Sequence, residues 1–258
     1  MTMEKRPVAL VTGGSRGIGL ATAKALAASG FGVAVTGIVE PEAAGEALDD
    51  IRNNGGEAAY FQADLSDVSG HSATVAQVLS HFGDIDCLVN NAGMASVVRG
   101  DFLDLSPENY DTIMATNLRG TVFFTQAVLR RMLEVDRTVV ARSIINITSI
   151  SAVLTSPERL DYCISKAGLA AFTQGLTLRL AESGISVFEV RPGIIRTAMT
   201  AAVADRYDAL IADGLVPMKR WGEAGDIGGM VAALASGKFA FATGSVIDAD
   251  GGLSIGRL

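Results

Sequence analysis

Val8-Ala9-Leu10-Val11-Thr12-Gly13-Gly14-Ser15-Arg16-Gly17-Ile18-Gly19 is the stretch on which the fold turns. A short, continuously apolar run rich in β-formers ends in a glycine-rich turn. The turn leads straight into helical spacing at Ile18, Ala21, Ala25 and Ala28. Strand, tight turn and helix in that order open a doubly wound α/β sheet. In such a turn Gly13 permits the sharp reversal, Gly17 the close approach of backbone to a pyrophosphate, and Gly19 the packing of helix on strand. The free N–H groups of the helix N-terminus then face the phosphates. The spacing differs from G-x-G-x-x-G, so the loop alone is weak support.

The same alternation continues outward. Strand-like apolar runs fall at 8–12, 33–36, 58–62, 87–90, 143–148, 185–191 and 245–249. Between them lie helical patterns such as Val75, Val78, Leu79, Phe82 and Ile227, Met230, Val231, Leu234. Continuously apolar strands belong to a parallel sheet covered by helices on both faces. The reading is one doubly wound (Rossmann) α/β unit over 1–258, with about seven strands. No repeat, low-complexity tract or linker marks a second unit. The longest departure from the rhythm is 194–221, which leaves a strand end and is expected to recognise substrate. Its apolar residues Met199, Val203, Tyr207, Leu210, Ile211, Leu215, Met218 and Trp221 suit an acyl chain, a ring or a small ketone.

Two other motifs overlap the glycine turn. Gly13 to Gly17 fits G-x-S-x-G, the turn that presents a hydrolase serine, which would make Ser15 a nucleophile. A later acid and histidine are then required, yet His71 and His81 are the only histidines, and both fall on a predicted amphipathic helix. Gly14 to Gly19 also has the spacing of a triphosphate loop, but Leu20 stands where lysine is needed.

Composition narrows the function classes. Lys+Arg 21 against Asp+Glu 28 gives a net charge of −7, and no basic run is present, which argues against nucleic acid as a partner. No apolar run approaches the ~18 residues of a membrane span, and the polar N-terminus lacks a secretory pattern, so the expectation is a cytoplasmic protein with no membrane partner. Cys87 and Cys163 are far apart, giving neither a disulfide framework nor a metal cluster; no metal site is expected.

Tyr162 and Lys166 are four residues apart and share one helical face. Thirteen residues before Tyr162, Ser149 follows a strand, at the end where α/β sites form. Taken singly, Asn117, Ser149 and Asp64 are also what a cap or turn former supplies. Taken in order, Thr12-Gly13-x3-Gly17-x-Gly19, Asn90-Asn91-Ala92-Gly93, Asn117, Ser149, Tyr162-x3-Lys166 and Pro192-Gly193 with Thr197 resemble the motif set of the short-chain dehydrogenase/reductase family. The likeness spans nearly the whole chain, to Asp250-Gly251-Gly252. It is greatest to members of the 3-oxoacyl-[acyl-carrier-protein] reductase type.

The resemblance implies a nicotinamide-dependent oxidoreductase that interconverts a carbonyl and a secondary alcohol. It assigns Tyr162 as general acid/base, Lys166 as the charge that lowers the Tyr162 pKa and binds ribose, Ser149 as donor to the carbonyl, and Asn117 as anchor of a proton relay. For the cofactor it implies Gly13, Ser15, Arg16, Gly17, Ile18 and Gly19 at the phosphates, and Asp64 and Leu65 at the adenine. It further implies Asn91, Ala92 and Gly93 at the adenosine ribose, and Pro192, Gly193, Ile195 and Thr197 at the carboxamide, with Tyr162 and Lys166 at the nicotinamide ribose. A homotetramer built on two helices, 122–133 and 167–180, is implied as well.

Simple electrostatics bears on the tyrosine. Bringing a phenol from pKa near 10 to 7 requires about 4 kcal/mol. A lysine charge about 4 Å away offers a similar amount at an effective dielectric of 20, while burial opposes it. Cofactor choice follows from the end of the second strand, Thr36-Gly37-Ile38-Val39-Glu40. Gly37 stands where an acid would receive the ribose of NAD, and Arg16 is near, which favours NADP(H). Glu40 keeps NAD(H) open. A 3-oxoacyl thioester is the favoured substrate, with sugars, polyols and other small secondary alcohols as alternatives. A non-catalytic nucleotide-binding regulator is the rival from another class.

Overall fold

The computed structural model describes residues 6–135 and 141–256. The ends of the expected 1–258 unit lie outside the described residues. In chain order, β1 (Val8–Thr12) leads into α1 (Gly17–Ala28), β2 (Gly32–Gly37), α2 (Gly45–Arg52) and β3 (Ala58–Gln62). Then come α3 (His71–Phe82), β4 (Cys87–Asn90), α4 (Pro107–Met114), α5 (Thr121–Glu134), β5 (Arg142–Ile147), α6 (Leu160–Leu180) and β6 (Ile185–Pro192). The chain continues through β7 (Ile195–Arg196), α7 (Ala204–Ala212), β8 (Gly222–Glu223), α8 (Ala224–Ala235) and β9 (Val246–Ala249).

Seven strands form one parallel sheet in the order β3-β2-β1-β4-β5-β6-β9. The order reverses between β1 and β4, and a crevice opens there beyond the strand ends. The central strands β1, β4 and β5 are buried along almost their whole length, whereas the edge strands β3 and β9 keep exposed positions. Continuous apolarity thus belongs to the strands that have two neighbours.

Two cores flank the sheet. Val11, Leu26, Val33, Ile145, Phe188 and Ile227 pack on one face. Leu10, Val78, Leu88, Phe124, Ile144 and Leu180 pack on the other. On the first face α1 and α8 cross closely, because a Cβ at Gly228 would meet the Ala21 carbonyl oxygen at 2.6 Å. Both cysteines are buried free thiols, and burial pushes Cys87 up to about 12.

The stretch 194–221 folds differently from a lining of apolar side chains. β7 pairs in parallel with β8, and α7 closes over a small core of Ile211, Val216 and Trp221, with Tyr207 edge-on to Trp221. Of the eight apolar residues expected to meet substrate, Ile211 and Trp221 are consumed by that core. Met199, Leu215 and Met218 stay exposed.

Candidate active site

The glycine turn shows why each glycine stands where it does. Gly13 (φ +63°) and Gly17 (φ +54°) occupy the left-handed region that favours glycine. A Cβ at Gly19 would run into the Gly13 carbonyl oxygen and the Asn91 amide, so the helix start is pressed against the turn. Gly17 instead opens toward Thr197, whose Cγ2 is 3.7 Å from a built Cβ. The first turn of α1 carries no acid, and its cap residue Arg16 makes no side-chain capping bond. An uncapped, acid-free helix N-terminus behind a glycine cradle fits the pyrophosphate of a nicotinamide dinucleotide.

Asn91 fixes the wall of that cradle. Its Nδ2 donates to the Thr12 and Gly13 carbonyls at 2.9 and 3.2 Å. Thr12 Oγ1 accepts from the Asn91 and Ala92 N–H groups, both at 3.0 Å. Gly93 follows, and a Cβ there would lie 3.2 Å from Asn117 Oδ1 and 3.5 Å from Lys166 Nζ. The absent side chain leaves space in front of both groups. Asp64 Oδ1 accepts from the Ser66 N–H and hydroxyl, each at 2.8 Å. Leu65 is buried, and its carbonyl is held by His71 Nε2 at 3.0 Å.

Asn117 sits in a π-helical turn, Ala115–Gly120, between α4 and α5. Such turns insert an extra residue and re-aim a side chain, often at functional sites. Asn117 is fully buried. Its Oδ1 accepts from the Met94 N–H at 2.8 Å, and its Nδ2 donates to the Met94 carbonyl at 2.9 Å and to Ser165 Oγ at 3.2 Å. The side chain therefore ties the loop after β4 to α6.

Ser149 has extended backbone and its Oγ accepts from the Ser151 N–H at 3.0 Å, which leaves the hydroxyl proton free to donate elsewhere. Tyr162 and Lys166 share one face of α6. Lys166 Nζ lies 5.8 Å from the Tyr162 ring centre and donates to the Ile147 carbonyl at 3.1 Å. Burial lowers the Lys166 ammonium to about 8. Burial also raises the Tyr162 hydroxyl, against the pull of the Ser149 hydroxyl and of the Arg159 and Arg99 charges. The lowering of Tyr162 expected from the sequence counts on Lys166 together with the charge of an oxidised nicotinamide; the chain's own groups leave the hydroxyl raised. Desolvation outweighs every favourable partner.

Pro192 and Gly193 lie at the end of β6, where a Cβ at Gly193 would strike Asp250 Cα at 2.7 Å. The turn from β6 to β7 is thereby clamped to the C-terminal Asp250-Gly251-Gly252 segment. Thr197 caps the following turn in a reciprocal bond pair with Thr200. The sheet thus brings the glycine turn, Asn91 to Gly93, Asn117, Ser149, Tyr162, Lys166 and Thr197 to one crevice.

The chain matches, over residues 13–254, the family described as enoyl-(acyl carrier protein) reductase. It is 66% identical to a 3-oxoacyl-[acyl-carrier protein] reductase from Brucella melitensis solved in complex with NAD, with a TM-score of 0.96 and coverage of 99% and 100% of the two chains. The chain belongs to the short-chain dehydrogenase/reductase family. A short-chain type dehydrogenase/reductase from Mycobacterium marinum is 32% identical, with a TM-score of 0.88 over 97% of this chain and 96% of that one. A 3-oxoacyl-[acyl-carrier-protein] reductase from Synechocystis is 35% identical over 254 residues, covering 98% of this chain and 99% of the relative. The protein is an oxidoreductase of this family. Among the described residues no helix is long and apolar enough to cross a membrane, and no cluster of three His, Cys, Asp or Glu is placed to hold a metal.

Sequence reasoning missed three features of the site. Ser165, one turn after Tyr162, supports Asn117. Asp161 is buried and accepts from Ser96 Oγ at 2.6 Å. Arg159 lies over the Tyr162 ring. Only Ser165 left a trace in the sequence, its i+3 spacing from Tyr162.

Proposed function

We propose that the chain reduces a ketone to a secondary alcohol, and runs the reverse reaction, with Tyr162 as the proton-transferring group. The observation that carries this reading is the space in front of Gly93, bordered by Lys166 Nζ and Asn117 Oδ1, on the face of α6 that carries Tyr162. The nicotinamide supplies the hydride when bound. Tyr162 gives its hydroxyl proton to the carbonyl oxygen as negative charge develops there. Ser149, whose Oγ accepts from the Ser151 N–H, donates its own proton to the same oxygen and orients the carbonyl. Lys166 holds the nicotinamide ribose and contributes positive charge. Asn117 holds the loop after β4 against α6 so that these groups keep their distances, and anchors the proton relay.

On this reading Gly13, Ser15, Arg16, Gly17, Ile18 and Gly19 hold the phosphates, Asp64 and Leu65 the adenine, and Asn91, Ala92 and Gly93 the adenosine ribose. Pro192, Gly193, Ile195 and Thr197 hold the carboxamide. We favour NADP(H). A side chain at Gly37 would point between Tyr60 Oη and Ser15 Oγ, at 3.1 and 3.4 Å, and no carboxylate stands there to repel a 2′-phosphate. Glu40 is engaged by Gln62 Nε2 at 3.2 Å. The NAD complex of the Brucella melitensis relative favours NAD(H) as the second reading.

The relatives named 3-oxoacyl-[acyl-carrier-protein] reductase support a 3-oxoacyl group as the part reduced. The whole chain is read as one dinucleotide-binding unit working as a homotetramer in the cytoplasm, with 194–221 as its substrate loop. The test follows NADPH and NADH absorbance in the presence of a panel of ketones. Ketone-dependent oxidation of either cofactor supports the reading, and cofactor binding without any turnover supports a nucleotide-bound regulator instead.

A further inference from the structure

We propose that Glu189 and Arg191 are positioning residues: paired with each other on β6, they hold the Thr148 hydroxyl so that the next residue, Ser149, presents its own. The kinetic consequence rests on the reading that Ser149 gives its proton to a carbonyl.

Glu189 is a fully buried carboxylate. Its Oε1 accepts from Arg191 Nε at 2.6 Å and from Thr148 Oγ1 at 2.7 Å, and its Oε2 accepts from Arg191 Nη2 at 3.3 Å. The Arg191 side chain is itself only 13% exposed. Taking two charges out of water is costly, and an apolar pair of similar volume commonly serves a fold as well or better. Stability is therefore a poor account of this pair. What an apolar pair would lack is a strong acceptor for the Thr148 hydroxyl; the Val190 carbonyl, at 3.3 Å, is the weaker acceptor in reach.

Thr148 stands where the sheet stops guiding the chain. The pairing of β5 with β6 ends at Ile147 opposite Val190. Ile147 is thus set by the ladder, and its carbonyl also accepts from Lys166 Nζ at 3.1 Å. Beyond it, the Thr148 N–H donates to the Val190 carbonyl at 2.9 Å. The hydroxyl bond to Glu189 is a second tie from the same residue to β6. One tie leaves a hinge, whereas two fix the rotation of Thr148 and hence the direction in which the chain enters Ser149. Ser149 follows in extended backbone, with its Oγ accepting from the Ser151 N–H at 3.0 Å. Arg191 in turn directly precedes Pro192 and Gly193, so one buried contact joins the serine to the end of β6.

The test uses Thr148→Val, which replaces the hydroxyl by a methyl of similar shape and leaves Glu189 paired with Arg191. Thr148→Ser keeps the hydroxyl, and Glu189→Leu with Arg191→Met removes both charges together. Hydrogen exchange at the Ser151 amide reads the placement of Ser149 without any turnover. It should speed by at least about tenfold in Thr148→Val and in the double variant, with the amides of β5 and β6 unchanged and Thr148→Ser close to wild type. Single-turnover ketone reduction should slow by about 10- to 100-fold in the same two variants, with the dissociation constant of the cofactor unchanged. On a Ser149→Ala background neither change should slow it further, because the group they position is gone. Unchanged Ser151 exchange in Thr148→Val, exchange that speeds equally along β5 and β6, or the same loss of rate on both backgrounds would each overturn the proposal. Faster Ser151 exchange with an unchanged ketone rate keeps the positioning role and removes Ser149 from the chemistry.

Discussion

Lys166 Nζ stands 5.8 Å from the centre of the Tyr162 ring and gives a hydrogen bond to the Ile147 carbonyl instead. The lysine is anchored to the sheet, and the tyrosine it is meant to activate is governed by its own burial. Tyr162 is raised above the ordinary phenol range and Lys166 is lowered to about 8.

A direction-dependent pH profile follows. Carbonyl reduction uses the protonated hydroxyl, which is the form present throughout neutral pH when the pKa is raised. Alcohol oxidation uses the tyrosinate, whose fraction grows with pH. The reduction rate should be flat between about pH 6 and 8, and the oxidation rate should climb tenfold per pH unit over the same range if proton transfer limits it. Steady-state rates in both directions across this range check it; an oxidation rate already flat at pH 7 would mean that the bound cofactor lowers Tyr162 to neutrality.

Replacing Lys166 should stabilise the fold while removing function. Burial moves the ammonium from an ordinary 10.5 to about 8, a penalty of about 3 kcal/mol at ~1.4 kcal/mol per pH unit. The unfolded chain binds the extra proton between pH 8 and 10.5, so the penalty is complete below pH 8 and fades as pH rises toward 10.5. Lys166→Met leaves the Ile147 carbonyl without its donor, which costs about 1–3 kcal/mol. A modest rise in Tm at pH 7 that shrinks toward pH 10 is expected in thermal melts. A lower Tm at pH 7 would show that the hydrogen bond outweighs the buried charge.

Gly37→Asp should turn the cofactor preference toward NADH. The new carboxylate would enter the space beside Ser15 Oγ and Tyr60 Oη, where it accepts from ribose hydroxyls and repels a 2′-phosphate. Like charges brought together in a desolvated site cost several kcal/mol, so the ratio of the two affinities should move by at least about tenfold. Fluorescence titration with both cofactors measures it. Wild type binding NADH more tightly would assign ribose reading to Glu40.

Leu178 is 81% exposed on α6, and Ile164, Phe123 and Leu133 are each at least 40% exposed on α6 and α5. Apolar side chains bared on these two helices are expected to form an association surface. Light scattering should give a mass well above the 26.7 kDa of one chain, and Leu178→Arg with Ile164→Arg should lower it. A monomeric wild type at micromolar concentration removes the assembly.

The parts of this site that obey local rules were legible in the sequence. The tight turn at Gly13 and the shared face of Tyr162 and Lys166 follow from residue type and helical spacing alone. The π-helical turn that aims Asn117 was not legible, because the phase slip of one inserted residue falls at the junction of α4 and α5, where it reads as the end of one helix and the start of the next. Nor was the small core around Trp221, since β7 and β8 are two residues each and carry no pattern. The Lys166–Tyr162 balance was not legible for a related reason: a distance and a degree of burial decide it, and a sequence contains neither. Arg159 escaped notice because a charge three residues before Tyr162 looks like any solvated helix-end residue.

The central claim is that the Tyr162 hydroxyl moves the proton. Tyr162→Phe removes one oxygen from a ring that otherwise keeps its packing. Single-turnover reduction of a ketone by the reduced cofactor, followed by stopped-flow absorbance, should slow by about 10²- to 10⁴-fold, while the dissociation constant of the cofactor stays within a few-fold of wild type. A variant that reduces the ketone at the wild-type rate would contradict the account.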